Sequence, residues 1–182
     1  MTTIVFDGDR LYADTQLTTV DNSGEMVGSS ITDKIHSNGK ATWASSGSKI
    51  VADLFNSRVL RFGMLHLGYQ WLFDVDRNDY NHFSNITGGN TILYVTKKYV
   101  RTLDTKNHFM TVKLLGMRLH LMFIRVTSTY DRRDNVKWIA IGSGCDLVNK
   151  YLTDGYTPDV AIKLTAMYDL HTNSLIQTVD CK

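Results

Sequence analysis

A threonine in second place, Met1-Thr2-Thr3, gives this chain a specific chemical option. A small residue after the initiator methionine lets that methionine be removed, which would leave Thr2 carrying both a hydroxyl and a free α-amine. An α-amine titrates near ~8, so at neutral pH part of it is unprotonated and can take the hydroxyl proton. Thr2 would then be nucleophile and base together. With Met1 attached, the nitrogen is an amide and no base. Other residues fit the same chemistry. Lys34 can supply an ammonium that stabilises charge developing on the Thr2 oxygen and depresses the proton affinity of the amine. It can equally be a solvated surface lysine. Asp14 closes an apolar run, where a buried carboxylate needs a cation or several N–H donors; a turn residue at the end of a strand looks the same locally. Ser45-Ser46-Gly47-Ser48 stands at a strand-to-helix junction, where backbone N–H groups can hold an oxyanion, or where Ser48 simply caps a helix. Gly142-Ser143-Gly144 stands at a second such junction, and Asp169 and Thr172 read locally as turn residues.

The elements that would position these residues follow from periodicity. Thr3 to Phe6 and Arg10 to Ala13, around Asp7-Gly8-Asp9, read as a hairpin. Ser30 to His36 and Ala41 to Ser45 read as a second pair around Ser37-Asn38-Gly39. In that strand the Ile31/Asp33/Ile35 alternation sets Lys34 on the opposite face and leaves Asp33 outside the site. From Ser48 the apolar spacing becomes helical, with Leu54, Phe55 and Val59 toward one face. Thr91 to Val95, Tyr99 to Leu103, His108 to Leu115 and Leu119 to Val126 read as strands, the last two joined near Gly116. Val136 to Ile141 reads as a buried strand. Cys145 to Asp154 is helical and capped by Gly155. Thr157-Pro158-Asp159 opens another helix that runs to about Tyr168, with Val160, Ala161, Leu164 and Met167 inward. Ser174 to Val179 closes the chain as a strand. The periodicity alone gives an α+β domain.

Five pieces carry a family resemblance: Thr2-Thr3-Ile4-Val5, Tyr12-Ala13-Asp14-Thr15-Gln16, Thr32-Asp33-Lys34-Ile35, Ile139 to Gly144, and Tyr168-Asp169-Leu170-His171-Thr172. In order and approximate spacing they resemble a proteasome-type β-subunit, an N-terminal-nucleophile (Ntn) hydrolase, with the bacterial HslV type nearest. The resemblance implies one αββα sandwich domain over residues 1–182, two antiparallel sheets between helical layers. It implies Thr2 as nucleophile, Lys34 as activator and Asp14 as its partner. Gly47 would supply the oxyanion donor, and Ser143, Asp169 and Thr172 would hold the N-terminal amine. Asp169 would raise that amine's pKa and Lys34 would lower it. From Leu67 to Val136 nothing aligns, and Leu103 to Arg125 is longer and more basic than the family's connection there.

Two functions of different classes follow. One is a threonine-type endopeptidase acting on unfolded polypeptide, in a homo-oligomeric ring of six or seven subunits that can be stacked and served by an ATP-dependent unfoldase, as the resemblance implies. The other is a catalytically silent subunit of the same fold, a ring scaffold or an inhibitor, with Met1 retained. No cofactor is expected. A net charge of +2 gives no argument for nucleic acid, and two distant cysteines, Cys145 and Cys181, suit a reducing compartment. Without a membrane-length apolar run or a signal sequence, the expectation is a cytoplasmic protein. Asp74, Asp76 and Asn78 start like a calcium loop, but Asp79 and Asn85 stand where it needs Gly and Glu. The six histidines show no ligand spacing.

Overall fold

The β-branched and aromatic run Thr3–Phe6 forms β1, which turns through Asp7 into β2 (Arg10–Asp14). Asp7 Oδ1 closes the turn by accepting the N–H groups of Asp9 and Arg10 at 3.0 and 2.8 Å. The computed structural model describes residues 2–20, 25–61, 65–67, 70–75, 90–104, 109–114, 117–134 and 137–181. Most of the rejected calcium-loop likeness, from position 76, the bend at Gly116 and the Met1 terminus lie outside these.

β3 (Gln16–Val20) and β4 (Met26–Ile31) pair with each other as a separate ribbon. β5 (Ile35–Ser37) and β6 (Ala41–Ser46) form the Asn38 hairpin, and α1 (Lys49–Arg61) follows. β7 (Leu65–Leu67), β8 (Gln70–Val75), β9 (Thr91–Thr96) and β10 (Tyr99–Asp104) come next. Then come β11 (Phe109–Leu114), the long β12 (Met117–Asp131) and β13 (Ile139–Gly142). Helices α2 (Cys145–Thr153) and α3 (Pro158–Thr165) precede the last strand, β14 (Ile176–Asp180). Among the described residues these make a four-stranded sheet ordered β13-β1-β2-β14 and an eight-stranded sheet ordered β5-β6-β9-β10-β12-β8-β7, with β11 paired to β12. Every pairing is antiparallel.

The two larger sheets face each other across one apolar cluster. Ile4, Phe6, Leu11, Ala13 and Ile141 come from the smaller sheet, and Ile35, Ala44, Leu93, Val95 and Val100 from the larger. Alternation sends the next residues outward. Val5 and Tyr12 meet Val148, Leu152, Ala161 and Ile162 of α2 and α3. On the larger sheet Trp43 lies edge-on to Phe55 of α1, stacks near Tyr94, and donates its indole N–H to Asn56 at 2.7 Å. No helix among the described residues is long and apolar enough to cross a membrane.

Three local expectations change. The strand read over Ser30 to His36 is two strands: β4 is committed to β3, and Thr32–Lys34 between β4 and β5 belongs to no strand. Thr157 precedes α3 in extended conformation, but its hydroxyl bonds Asp159 at 2.6 Å instead of capping the helix. α3 ends at Thr165, so Met167 falls in the turn beyond it, 71% exposed, and the fully buried face is Ala161, Ile162 and Thr165. The described strands of the divergent middle, β8 to β12, belong to the larger sheet. β12 pairs with β10, β11 and β8, and its register with β10 shifts at Thr102/Leu103.

Phe6 is fully buried between the sheets. Phe6→Ala is expected to cost about 3–5 kcal/mol in urea unfolding, the usual range for an emptied aromatic site; a change under about 1 kcal/mol would mean that this cluster does not hold the sheets together.

Candidate active site

Antiparallel register brings five chain segments to one end of the sandwich. Thr3 starts β1 opposite Gly142, the last residue of β13, and Asp14 is the last residue of β2. In the larger sheet Ser46 ends β6, and Lys34 immediately precedes β5. Thr2 lies among them and is nearly inaccessible.

Asp14 is fully buried and Lys34 is 7% exposed. Asp14 Oδ2 accepts the Thr3 N–H at 2.6 Å. Its Oδ1 accepts the Gln16 N–H at 2.9 Å and the Lys34 ammonium at 3.1 Å. The same ammonium donates to Thr2 Oγ1 and to the Gln16 carbonyl. A lysine has three N–H donors, and here all three have acceptors. Burial pushes the Lys34 pKa down, against the opposing pull of Asp14. Burial likewise pushes the Asp14 carboxyl up, against Lys34 and the two backbone N–H groups. A cation with lowered proton affinity, hydrogen-bonded to a hydroxyl, can stabilise charge on that oxygen and exchange protons near it.

The Thr2 carbonyl is pinned from the other side. It accepts the Ser143 N–H at 3.1 Å and the Ser46 hydroxyl at 3.4 Å. Gly142 makes this possible: at φ 104° a Cβ on it would sit 1.6 Å from the Thr2 oxygen. Asp169 Oδ2 accepts both Ser143 Oγ and Thr172 Oγ1 at 2.7 Å, and its Oδ1 accepts the His171 N–H at 3.0 Å. These bonds outweigh burial and hold the Asp169 carboxyl below its ordinary pKa. Since Thr172 gives its proton to Asp169, Thr3 is the donor in the 2.7 Å contact between the two threonine hydroxyls.

The sequence matches no protein-family profile and none of the curated proteins. Solved structures do match. Thiobacillus denitrificans BPH in complex with epoxomicin superposes with TM-score 0.54 and 11% identity, over 100% of this chain and 98% of that one. The chain has the proteasome β-subunit/HslV-like Ntn fold. Eukaryotic HslV from Trypanosoma brucei superposes with TM-score 0.49 and 15% identity, over 98% of this chain and 97% of that one. At such identities the likeness is one of fold, and the chemistry has to be argued from the side chains.

On this Ntn fold, Thr2, Asp14 and Lys34 form one contiguous hydrogen-bonded group. Lys34 arrives by a different route, from a loop and not from an alternating strand. Ser143, Asp169 and Thr172 form a second group, which reaches β1 through the Thr2 carbonyl and the Thr3 hydroxyl. Gly47 is exposed and adjoins the site through its neighbour Ser46. Sequence reading missed Thr3, Gln16, Ser46 and Gln177. In the sequence Thr3 is one more β-prone residue at the start of its strand, and its burial shows only in the structure. Gln177 gave no local signal, since its partners lie 142 and 143 positions away. No group of three His, Cys, Asp or Glu among the described residues could hold a metal ion.

The close approach at Gly142 separates from its backbone angle by comparison with Gly155, whose φ is 94° but whose Cβ would meet nothing within 4 Å. Gly155→Ala is expected to cost about 1–2 kcal/mol, for conformation alone. Gly142→Ala is expected to cost about 1–3 kcal/mol more, for overpacking against Thr2. Equal costs in urea unfolding would show that the Thr2 carbonyl moves aside freely.

Proposed function

We propose that this chain is a threonine-type endopeptidase, one four-layer αββα Ntn-hydrolase domain over residues 1–182, with Thr2 as nucleophile after removal of Met1. The observation that carries the reading is the Lys34 ammonium, donating to Thr2 Oγ1 while anchored on buried Asp14. Thr2 Oγ1 attacks the scissile carbonyl carbon, and its proton passes to the freed α-amine. The carbonyl oxygen becomes an oxyanion, held by backbone N–H groups at the Gly47 junction. Collapse breaks the C–N bond, and the departing amine takes the proton held by the α-ammonium. Water, deprotonated by the same amine, then adds to the ester, releasing the acid and restoring Thr2. Ser143, Asp169 and Thr172 fix the amine and set its basicity, with Asp169 favouring the ammonium and Lys34 opposing it.

The substrate is unfolded polypeptide, because a nucleophile this enclosed needs an extended chain to reach it. A homo-oligomeric ring, served by an ATP-dependent unfoldase, would confine it further. The fold of the superposed structures supports the ring only at the level of architecture.

Freed of Met1, as checked by intact mass, the protein is expected to cleave unstructured polypeptide and to be labelled at Thr2 by epoxomicin, the compound bound to BPH. Thr2→Ala abolishes both. Lys34→Ala lowers the melting temperature, because buried Asp14 loses its cation, and slows labelling per folded molecule about 10²–10³-fold, the usual loss when a preorganised charge is removed. Equal turnover by Thr2→Ala and wild type refutes the peptidase. Light scattering at micromolar concentration is expected to give a mass of about six or more copies of the 20.6 kDa chain, the size of the proposed ring, closed by heterologous contacts. Full activity at the mass of one chain would rule the ring out.

A further inference from the structure

Lys34 has an unusual support. It sits in the Thr32–Lys34 link, which belongs to no strand, between β4 and β5. β5 is an edge of the larger sheet, and β14 is an edge of the smaller one. Gln177, on β14, spans the gap. Its Oε1 accepts the N–H of Lys34 at 2.8 Å and the N–H of Ile35 at 2.9 Å. Its Nε2 donates to the Ile35 carbonyl at 3.2 Å. A primary amide has two acceptor lone pairs and two N–H donors, so this side chain does for Lys34 and Ile35 what a neighbouring strand's peptide groups would do. The clamp is also indexed to the site. Gln177 pairs with Ala13, and the preceding Ile176 pairs with Asp14. The strand that flanks the carboxylate therefore also fixes the backbone of the lysine bound to it.

We propose that Gln177 is the positioning residue for Lys34, a cross-sheet amide clamp that sets where the ammonium meets Asp14 and Thr2 Oγ1. This rests on the peptidase reading for its catalytic consequence, and on geometry alone for its structural one. The ammonium is fixed at its tip by Asp14, Thr2 Oγ1 and the Gln16 carbonyl, so the clamp acts on the other end of the side chain, its backbone. The Thr32 N–H bond to the Thr15 carbonyl, 2.9 Å, holds the link two residues upstream, and the ammonium itself is at the end of a four-carbon stem. A charge that must act on one oxygen loses effect steeply with small displacements: about 1 Å costs on the order of 10²-fold in rate.

The test uses the Met1-free protein with Gln177→Leu, which keeps the bulk and removes every hydrogen bond, and Gln177→Asn, which keeps the amide but shortens its reach by one methylene. The expected result is faster amide hydrogen exchange at Lys34 and Ile35 in both. Epoxomicin labelling of Thr2 and kcat fall about 10- to 100-fold per folded molecule, while KM is unchanged. Gln177→Glu, which keeps both acceptor bonds but sets an oxygen where Nε2 donated to the Ile35 carbonyl, is expected to recover protection and labelling only in part, above Gln177→Leu. A residue that only stabilises the fold would lower the melting temperature without moving kcat or labelling in the folded fraction. That result, or wild-type exchange at Lys34 and Ile35 in Gln177→Leu, overturns the inference. Should Gln177→Leu not fold, Gln177→Asn carries the same readouts. If the wild-type protein neither cleaves nor labels, the peptidase reading falls, and exchange at the two amides still decides the clamp.

Discussion

Asp14 is a carboxylate with no access to water, and the site is arranged around satisfying it. An unpaired buried carboxylate would simply take up a proton. Here three donors meet it: the first amide of β1's register at Thr3, the first amide of β3 at Gln16, and the Lys34 ammonium from the link into β5. One side chain thus ties the N-terminal strand, the β2–β3 corner and an edge of the opposite sheet to a common point. A buried ion pair of this kind is poor value for stability, because desolvation of both charges offsets most of their attraction. Its effect is on geometry and proton affinity. It holds an ammonium of lowered pKa against a hydroxyl, which neither a hydrophobic pair nor a surface salt bridge could do.

The opposite end of the sandwich is braced by neutral acceptors. The Arg132 guanidinium donates to the Cys181 carbonyl at 2.5 Å, the Gly8 carbonyl at 2.9 Å and the Thr96 carbonyl at 3.3 Å. Those carbonyls belong to the chain's last strand end, the β1–β2 turn and the end of β9. Both sheets are therefore fastened at this end by one cation whose charge is spread over a planar fork. The Cys181 thiol beneath it, pushed up to about 11 mainly by burial, stays protonated and unreactive. At one end of the molecule a half-buried cation holds strand ends together, and at the other a buried cation lies against the Thr2 hydroxyl.

Much of the site was legible because its residues sit at element ends, where sequence punctuation is strongest. Asp14 ends an apolar run, Ser143 stands between glycines, and Asp169 and Thr172 follow a helix. The path of Lys34 was not legible. The alternation through Ile31, Asp33 and Ile35 looked like one strand, but Gln16–Val20 claims Met26–Ile31. That ribbon escaped notice because it lacks a buried face: Met26, Val27 and Ile31 are exposed, so its pattern carries no inside and outside. Gln177 was hidden for a related reason. A polar residue near the end of a chain acquires meaning only when register sets it beside Ala13 and within reach of Lys34. The sheets themselves were legible as strands, while their order was not, since pairing partners are set by packing across the core and not by neighbours in sequence.

The contact between the Thr3 and Thr172 hydroxyls joins positions 169 residues apart. Gly142, Ser143, Asp169 and Gln177 all lie in the last quarter of the chain, whereas Thr2, Asp14 and Lys34 lie in the first. During synthesis Thr2, Asp14 and Lys34 leave the ribosome early, while Ser143, which holds the Thr2 carbonyl, and Gln177, which holds the Lys34 backbone, leave late. Residues emerge at about 5–20 per second, so several seconds separate the two sets. Through that interval the hydroxyl of Thr2 is an ordinary alcohol on an unfinished chain. On the peptidase reading the order of translation acts as a timer: Thr2 gains its full set of contacts only after residues 142 to 177 have been made.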